Sequence, residues 1–252
     1  MIYVTGDVHG FKDTARFYNS FFLKSVNKPE NTVLIIGDFG VTWTKEAMEK
    51  SIAFYSNFQC KFMFIDGNNE NFDILNKLPV TEMNGGKVHK VSDNIFHMMR
   101  GEIFDIEGVK ILAFGGADSW DAPIRCSNLG RRQLGINWWP EESPTEEEFQ
   151  HCLSNLEKHG NKVDIILTHE TTTENVRRDY YWSITDRTCA MLQELEGKAD
   201  YRMWYFGHHH VEGHPGNHPN QQCIFTSFDN VSVVAEKQPF KSDLMTSGTD
   251  GM

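Results

Sequence analysis

Five short β-branched or aromatic runs in this chain each give way, at their carboxyl end, to a side chain able to bind a metal ion. Gly6-Asp7-Val8-His9-Gly10 follows the run at residues 2–5, and Gly37-Asp38-Phe39-Gly40 follows residues 32–36. Gly67-Asn68-Asn69-Glu70 comes just after residues 61–65, His169-Glu170 closes residues 164–168, and Gly207-His208-His209-His210 closes residues 203–206. Runs of this length and composition read as buried strands. In an α/β sheet, ligands bind beyond the carboxyl ends of the strands, so donors spread along most of the chain are expected to meet on one rim. The glycines fit that picture, because a strand exit needs sharp turns and close backbone approach.

Three further runs, at residues 109–114, 223–228 and 231–236, complete the expected strands. Helical character lies between them, at about residues 13–26, 44–58, 71–77, 143–159 and 186–196. The fourth helix has a visible start, with Ser143 as cap, Pro144 at the first helical position and Glu146 three residues on from the cap. Alternation of strand and helix over the first half implies βαβ units, and the closer later strands imply a second sheet with antiparallel pairs. The expected architecture is therefore α/β: a four-layer sandwich of two mixed β-sheets flanked by helices, with the metal site at the strand carboxyl ends. One domain is expected over residues 1–237, followed by a flexible polar tail at 238–252. Residues 118–142, with Trp138-Trp139-Pro140, read as a long ordered loop.

The net charge of −11 argues against a protein that coats extended nucleic acid, since phosphate backbones would be repelled. A small anionic substrate stays compatible, because bound cations reverse the local field of an acidic cleft. The first ten residues lack the basic and apolar regions of a signal peptide, and no apolar run approaches bilayer length. The five cysteines are odd in number and widely spaced, as in a reducing compartment, so a cytoplasmic location is expected.

The donor set of two aspartates, one asparagine and four strand-end histidines mixes nitrogen and oxygen without thiolates. It suits Mn, Fe, Zn or Ni better than Ca, with manganese the first expectation. Asp-x-His alone is a common surface turn and Gly-Asp alone a common helix cap; the order and placement of all five motifs set them apart. That ordered set resembles the calcineurin-like metallophosphoesterases over residues 2–237, nearly the whole chain. The resemblance implies a two-sheet sandwich with helices on both outer faces. It implies two divalent metals: Asp7, His9 and His210 on one, Asn68, His169 and His208 on the other, and Asp38 bridging them. It further implies phosphoester hydrolysis in which a metal-bridging hydroxide attacks phosphorus.

Two departures qualify the resemblance. The family pattern places a catalytic histidine beside the metal-binding asparagine, and here Asn69 stands there. A carboxamide donates a hydrogen bond but is no proton donor near neutral pH. Three readings stay open: an inactivated form, an enzyme for good leaving groups, and a metal-dependent binding protein without turnover. His209 is a candidate substitute proton donor. Secondly, Asp38-Phe39-Gly40-Val41-Thr42-Trp43 lacks the Asp-Arg-Gly of the protein phosphatases. Without that guanidinium, a phosphodiester, small-molecule or nucleotide, is the expected substrate. A nuclease for short single strands is a further alternative. Arg100, Arg125, Arg131, Arg132, Arg177, Arg178 and Arg187 are candidate phosphate partners, and Trp43, Trp120, Trp138 and Trp139 candidate stacking residues.

Overall fold

The computed structural model describes residues 1–122, 132–180, 185–216 and 218–246. In chain order its strands are β1 (Ile2–Thr5), β2 (Thr32–Ile36), β3 (Lys61–Ile65), β4 (Val80–Met83), β5 (Gly86–Lys90) and β6 (Ile95–Met98). They continue as β7 (Glu102–Ile106), β8 (Val109–Phe114), β9 (Ile165–Thr168), β10 (Met203–Phe206), β11 (Gln221–Cys223) and β12 (Asp229–Asn230). The helices are α1 (Lys45–Tyr55), α2 (Phe72–Leu75), α3 (Glu146–Lys158), α4 (Thr173–Asp179), α5 (Arg187–Lys198), α6 (Val231–Lys237) and α7 (Lys241–Thr246).

The strands form two mixed sheets, one of seven in the order β12-β1-β2-β3-β6-β5-β4 and one of five in the order β11-β10-β9-β8-β7. Both centres are parallel: β1-β2-β3-β6 in the first and β8-β9-β10-β11 in the second. Period-two alternation sends the side chains of each central strand to two different cores. Ile2, Val4, Leu34 and Ile36 point inward and meet Ile111, Ala113, Ile165 and Leu167 between the sheets. Tyr3, Val33, Ile35 and Phe62 point outward onto Phe17, Phe22, Tyr55 and Phe58. Leu112, Phe114, Ile166 and Phe206 face Phe149, Leu156, Leu192 and Leu195 of α3 and α5. Most strands buried on both faces read as apolar runs, and six of them, β1, β2, β3, β8, β9 and β10, were visible in the sequence.

The structure departs from the expected elements in several places. Residues 13–26 form a 3-10 turn (Ala15–Tyr18) and a π turn (Phe22–Val26) instead of one helix. The Asn19 side chain, accepting from the Phe22 N–H at 2.7 Å, separates them. Residues 231–236 form helix α6 rather than a strand, capped by Asn230, whose side chain accepts from Val233 N–H. Of the run expected at 223–228 only Cys223 lies in a strand, at the end of β11. Helix α3 is capped by Thr145 in a full capping box with Glu148, while the Ser143 hydroxyl is spent on Asp118. The antiparallel pairs lie in the middle of the chain (β4-β5-β6 and β7-β8) and at β12, not among the later strands of the second sheet. Within the segment expected as a tail, residues 241–246 form α7, where the Lys241 backbone N–H donates to Tyr201 O at 2.8 Å and its ammonium to Glu196 O, and residues 247–252 lie outside the described residues. Among the described residues no helix is long and apolar enough to cross a membrane.

Candidate metal centre

Parallel pairing puts the carboxyl ends of β1, β2 and β3 side by side, and those of β9 and β10 side by side in the other sheet. Several contacts join the two rims, and in the first His169 Nδ1 lies 2.8 Å from the Ile36 carbonyl. A carbonyl only accepts, so Nδ1 carries a proton and Nε2 is the ring nitrogen turned toward the cluster. That Nε2 lies 3.3 Å from Asn68 Oδ1 and 3.3 Å from Asp38 Oδ1. On the other side, Asp38 Oδ2 is 3.8 Å from His9 Nδ1, and His9 Nε2 is 3.0 Å from His210 Nε2. Two imidazole nitrogens this close need a proton or a cation between them. Candidate ligand atoms of Asp7, His9, Asp38 and His210 all lie within 4.8 Å of one another.

The backbone is bent to achieve this. His9, Asp38, His208 and His210 have φ of 52°, 48°, 65° and 55°, four of the seven non-glycine residues with positive φ among those described. A side chain in that region costs about 1–3 kcal/mol and persists only where its surroundings hold it. The surroundings are identifiable. Buried Arg16 donates to the carbonyls of Gly6 (2.7 Å), Asp7 (2.8 Å) and Phe225 (2.9 Å), clamping the first loop. Glu70 accepts from the N–H groups of Phe39 (2.8 Å) and Gly40 (3.2 Å), clamping the second. Gly37 and Gly67 are required, since a Cβ would strike the His169 ring at one and the Asp38 carboxylate at the other.

Electrostatics favour a cation. Asp7 and Asp38 are both buried, and Asp7 Oδ2 has no hydrogen-bond partner among the described residues. A buried carboxylate oxygen left unpaired costs several kcal/mol unless something positive faces it. Burial raises the Asp7 carboxyl to about 7, against the pull of His169 and reinforced by Asp38. Burial opposes the charge of His169, yet the carboxylates of Asp38 and Asp7 carry its pKa up to about 10. Mixed nitrogen and oxygen donors around an orphaned carboxylate oxygen are what divalent cations of intermediate softness take.

The remaining expected residues fall out as follows. Asn68 is oriented by Ser119, whose hydroxyl accepts from Asn68 Nδ2 at 3.1 Å and donates to Glu142 at 2.7 Å. Asn69 binds both oxygens of Asp38, its backbone N–H to Oδ1 at 2.8 Å and its amide to Oδ2 at 2.6 Å. His208 packs against His169 with ring centroids 5.1 Å apart, and its Nε2 is 3.6 Å from Glu170 Oε2. His209 is held by Glu170 Oε1 at 2.8 Å and stacks on Tyr180 at 4.0 Å.

A cavity of about 470 Å³ lies over the rim, bordered by Asp38, Asn69, His208, Trp120 and Arg132. Arg132 is the only described candidate arginine on it, and its Nε is 2.8 Å from Asp121. Arg100 is buried against Asp66 and Glu148, while Arg178 and Arg187 pair with Asp179 and Glu146. Arg177 lines a separate cleft beside α4 and α5. Arg125 and Arg131 lie outside the described residues. Trp138 and Trp139 are buried, donating to Glu142 and Asp73. Sequence reasoning missed Arg16, Ser119 and Glu142, for which no local signal exists, and Glu70 and Glu170, whose only signal is an acid next to a metal-capable residue.

With this geometry on one rim, a family model for the calcineurin-like phosphoesterases matches residues 1–212. The chain belongs to the calcineurin-like phosphoesterase family. The match spans all five strand-end motifs and stops two residues after His210; β11, β12, α6 and α7 follow it. Calcineurin-like phosphoesterases hydrolyse phosphoesters with the help of divalent metals and act on small phosphoester substrates, and the His and Asp cluster of this chain has the matching chemistry.

Proposed function

We propose that this calcineurin-like phosphoesterase is a dinuclear phosphodiesterase for a small-molecule or nucleotide substrate, with manganese as its working metal. The observation that carries the reading is Asp38, whose two oxygens face two donor groups. Oδ2 faces His9, with His210 and Asp7 behind it, and Oδ1 faces His169, with Asn68 behind it. The first group would hold one cation, the second, with His208, the other, and Asp38 would serve both. Bound there, the cations would supply a water acidic enough to attack at neutral pH and offset the charge of the phosphoryl oxygens.

The chain's own side chains supply the rest. Asn69 Nδ2 donates to Asp38 and can turn a hydrogen bond toward a phosphoryl oxygen, but it gives no proton to a departing alkoxide. His209 is engaged by Glu170 and Tyr180, which supports no acid role for it. Arg132 is the one described arginine on the cavity, in keeping with a singly charged diester rather than a phosphate dianion. The same amide clamp on Asp38 favours one second reading, a protein that binds a phosphorylated ligand and turns it over slowly or not at all.

Metal analysis of the Asp38→Ala variant tests the assignment. The wild-type chain should bind about two Mn ions and the variant fewer than one, since both donor groups lose a member. Two ions retained by the variant would remove Asp38 from the centre.

A further inference from the structure

A second cavity, of about 290 Å³, opens beside the same rim, and His9 and Asn69 border it. Asn69 also borders the larger cavity, so the two meet at the candidate metal centre. The walls of the smaller one are aromatic. Phe11, one residue past the first loop's Gly10, is 49% exposed, and its ring packs edge-on to Phe54 of α1 at 5.7 Å. Trp43, just ahead of α1, is half-buried and set edge-on to Trp139 at 6.1 Å, and Asn71 donates to its backbone carbonyl at 3.0 Å. The base is formed by Ala47 and Ser51, one turn apart on α1, whose small side chains leave the space open. Lys12 stands at the edge, exposed, with no ion pair to a described residue.

A half-exposed phenylalanine facing a fixed tryptophan beside a polar metal rim has no role in the core. Aromatic walls bind flat rings by stacking and edge contacts, with little dependence on ring identity. A cation at the mouth adds attraction to a ring face or to a carbonyl on its rim. The volume sits at the small end of ligand cavities, about 300–1,000 Å³, which is room for one ring system and not for a polymer.

We propose that the cavity between Phe11 and Trp43 is the subsite for a planar aromatic group carried on the substrate's phosphorus, an aryl or nucleobase ring. The proposal rests on the phosphodiesterase reading, and the two fail separately in one experiment. Binding of methylphosphonate, phenylphosphonate and the methylenephosphonate analogue of adenosine 5′-monophosphate to the Mn-loaded full chain is measured by calorimetry. None of these probes is cleaved, so the slow chemistry of an Asn69 centre does not enter. The aromatic probes should bind at least about fivefold more tightly than methylphosphonate, the low end of what one stacked ring supplies. Phe11→Ala and, independently, Ala47→Phe, which fills the space from α1, should bring that ratio to within about twofold. Whichever aromatic probe binds more tightly tells an aryl ester from a nucleotide. No binding of methylphosphonate or of either aromatic probe overturns the metal-centre reading. Binding of all three probes with equal affinity overturns the subsite alone. A ratio that survives both variants but is lost in Trp120→Ala moves the ring to the larger cavity and also overturns the proposal.

Discussion

Asn69 donates through both its backbone and its side chain to the one carboxylate that faces both donor groups. The amide keeps Asp38 in place but has no proton to give, so in the proposed reaction the leaving group must depart unaided. Asn69→His restores an acid at that position, and general acids contribute about a hundredfold to ten-thousandfold. With Mn and an alkyl diester, the histidine form should be faster by a factor in that range. With a diester bearing a nitrophenyl leaving group the two forms should differ by less than about tenfold, because a good leaving group needs no proton. Steady-state rates on the two substrates check this; equal acceleration of both would mean that position 69 acts on the phosphoryl oxygens instead.

At the scale of elements, α3 shows how local chemistry is read one step out of register. Ser143-Pro144 offers a plausible start, yet the helix begins two residues later, where Thr145 and Glu148 satisfy each other's N–H groups. Thr145→Ala should lower the unfolding free energy by about 1 kcal/mol, and Ser143→Ala should do so through Asp118 rather than through the helix. Urea denaturation with a helix-sensitive signal separates them. The central strands were legible because β1, β2, β3, β8, β9 and β10 are buried on both faces and carry uninterrupted apolar runs. The strands β4 and β5 were not, since Val80–Met83 is largely exposed and Gly86–Lys90 mixes lysines with buried Val88 and His89; β6 and β7 were not either, although largely buried, because their short apolar runs are broken by His97 and by Glu102 and Asp105. Val231-Ser232-Val233-Val234 has the composition of a strand, and only the Asn230 cap and the burial of Val231 and Ala235 make it a helix. The motif residues were legible one by one. The clamps that hold them, Arg16 and the Ser119–Glu142 pair, were not, because their partners are brought near only by the fold.

Over the whole molecule, the site spans both sheets, so it exists only while the sandwich is closed. Glu170 ties the rim of the second sheet together, accepting from Thr171 N–H and holding His209. Burial opposes its charge, but His209 and His208 outweigh that and hold the carboxyl down to about 2, against an ordinary 4.5. A carboxyl depressed in the folded state adds stability that is fully present above its ordinary value and is lost as the pH falls toward the folded one. The metal-free chain should therefore lose stability progressively between about pH 4.5 and pH 2, and Glu170→Gln should flatten that part of the curve. Denaturation midpoints at a series of pH values measure it, and parallel curves for the two forms would exclude the pair as a source of acid sensitivity.

The left-handed backbone at His9, Asp38, His208 and His210 also governs how a lineage can alter this centre. At those four positions a replacement must tolerate an unusual main-chain bend as well as supply a donor, which leaves little besides asparagine, aspartate, histidine and glycine. Position 69 carries no such bend, and its side chain meets the centre from the outside. Tuning by descent is therefore cheapest at residue 69, where chemistry can be dialled down or restored while the scaffold and its donors stay intact.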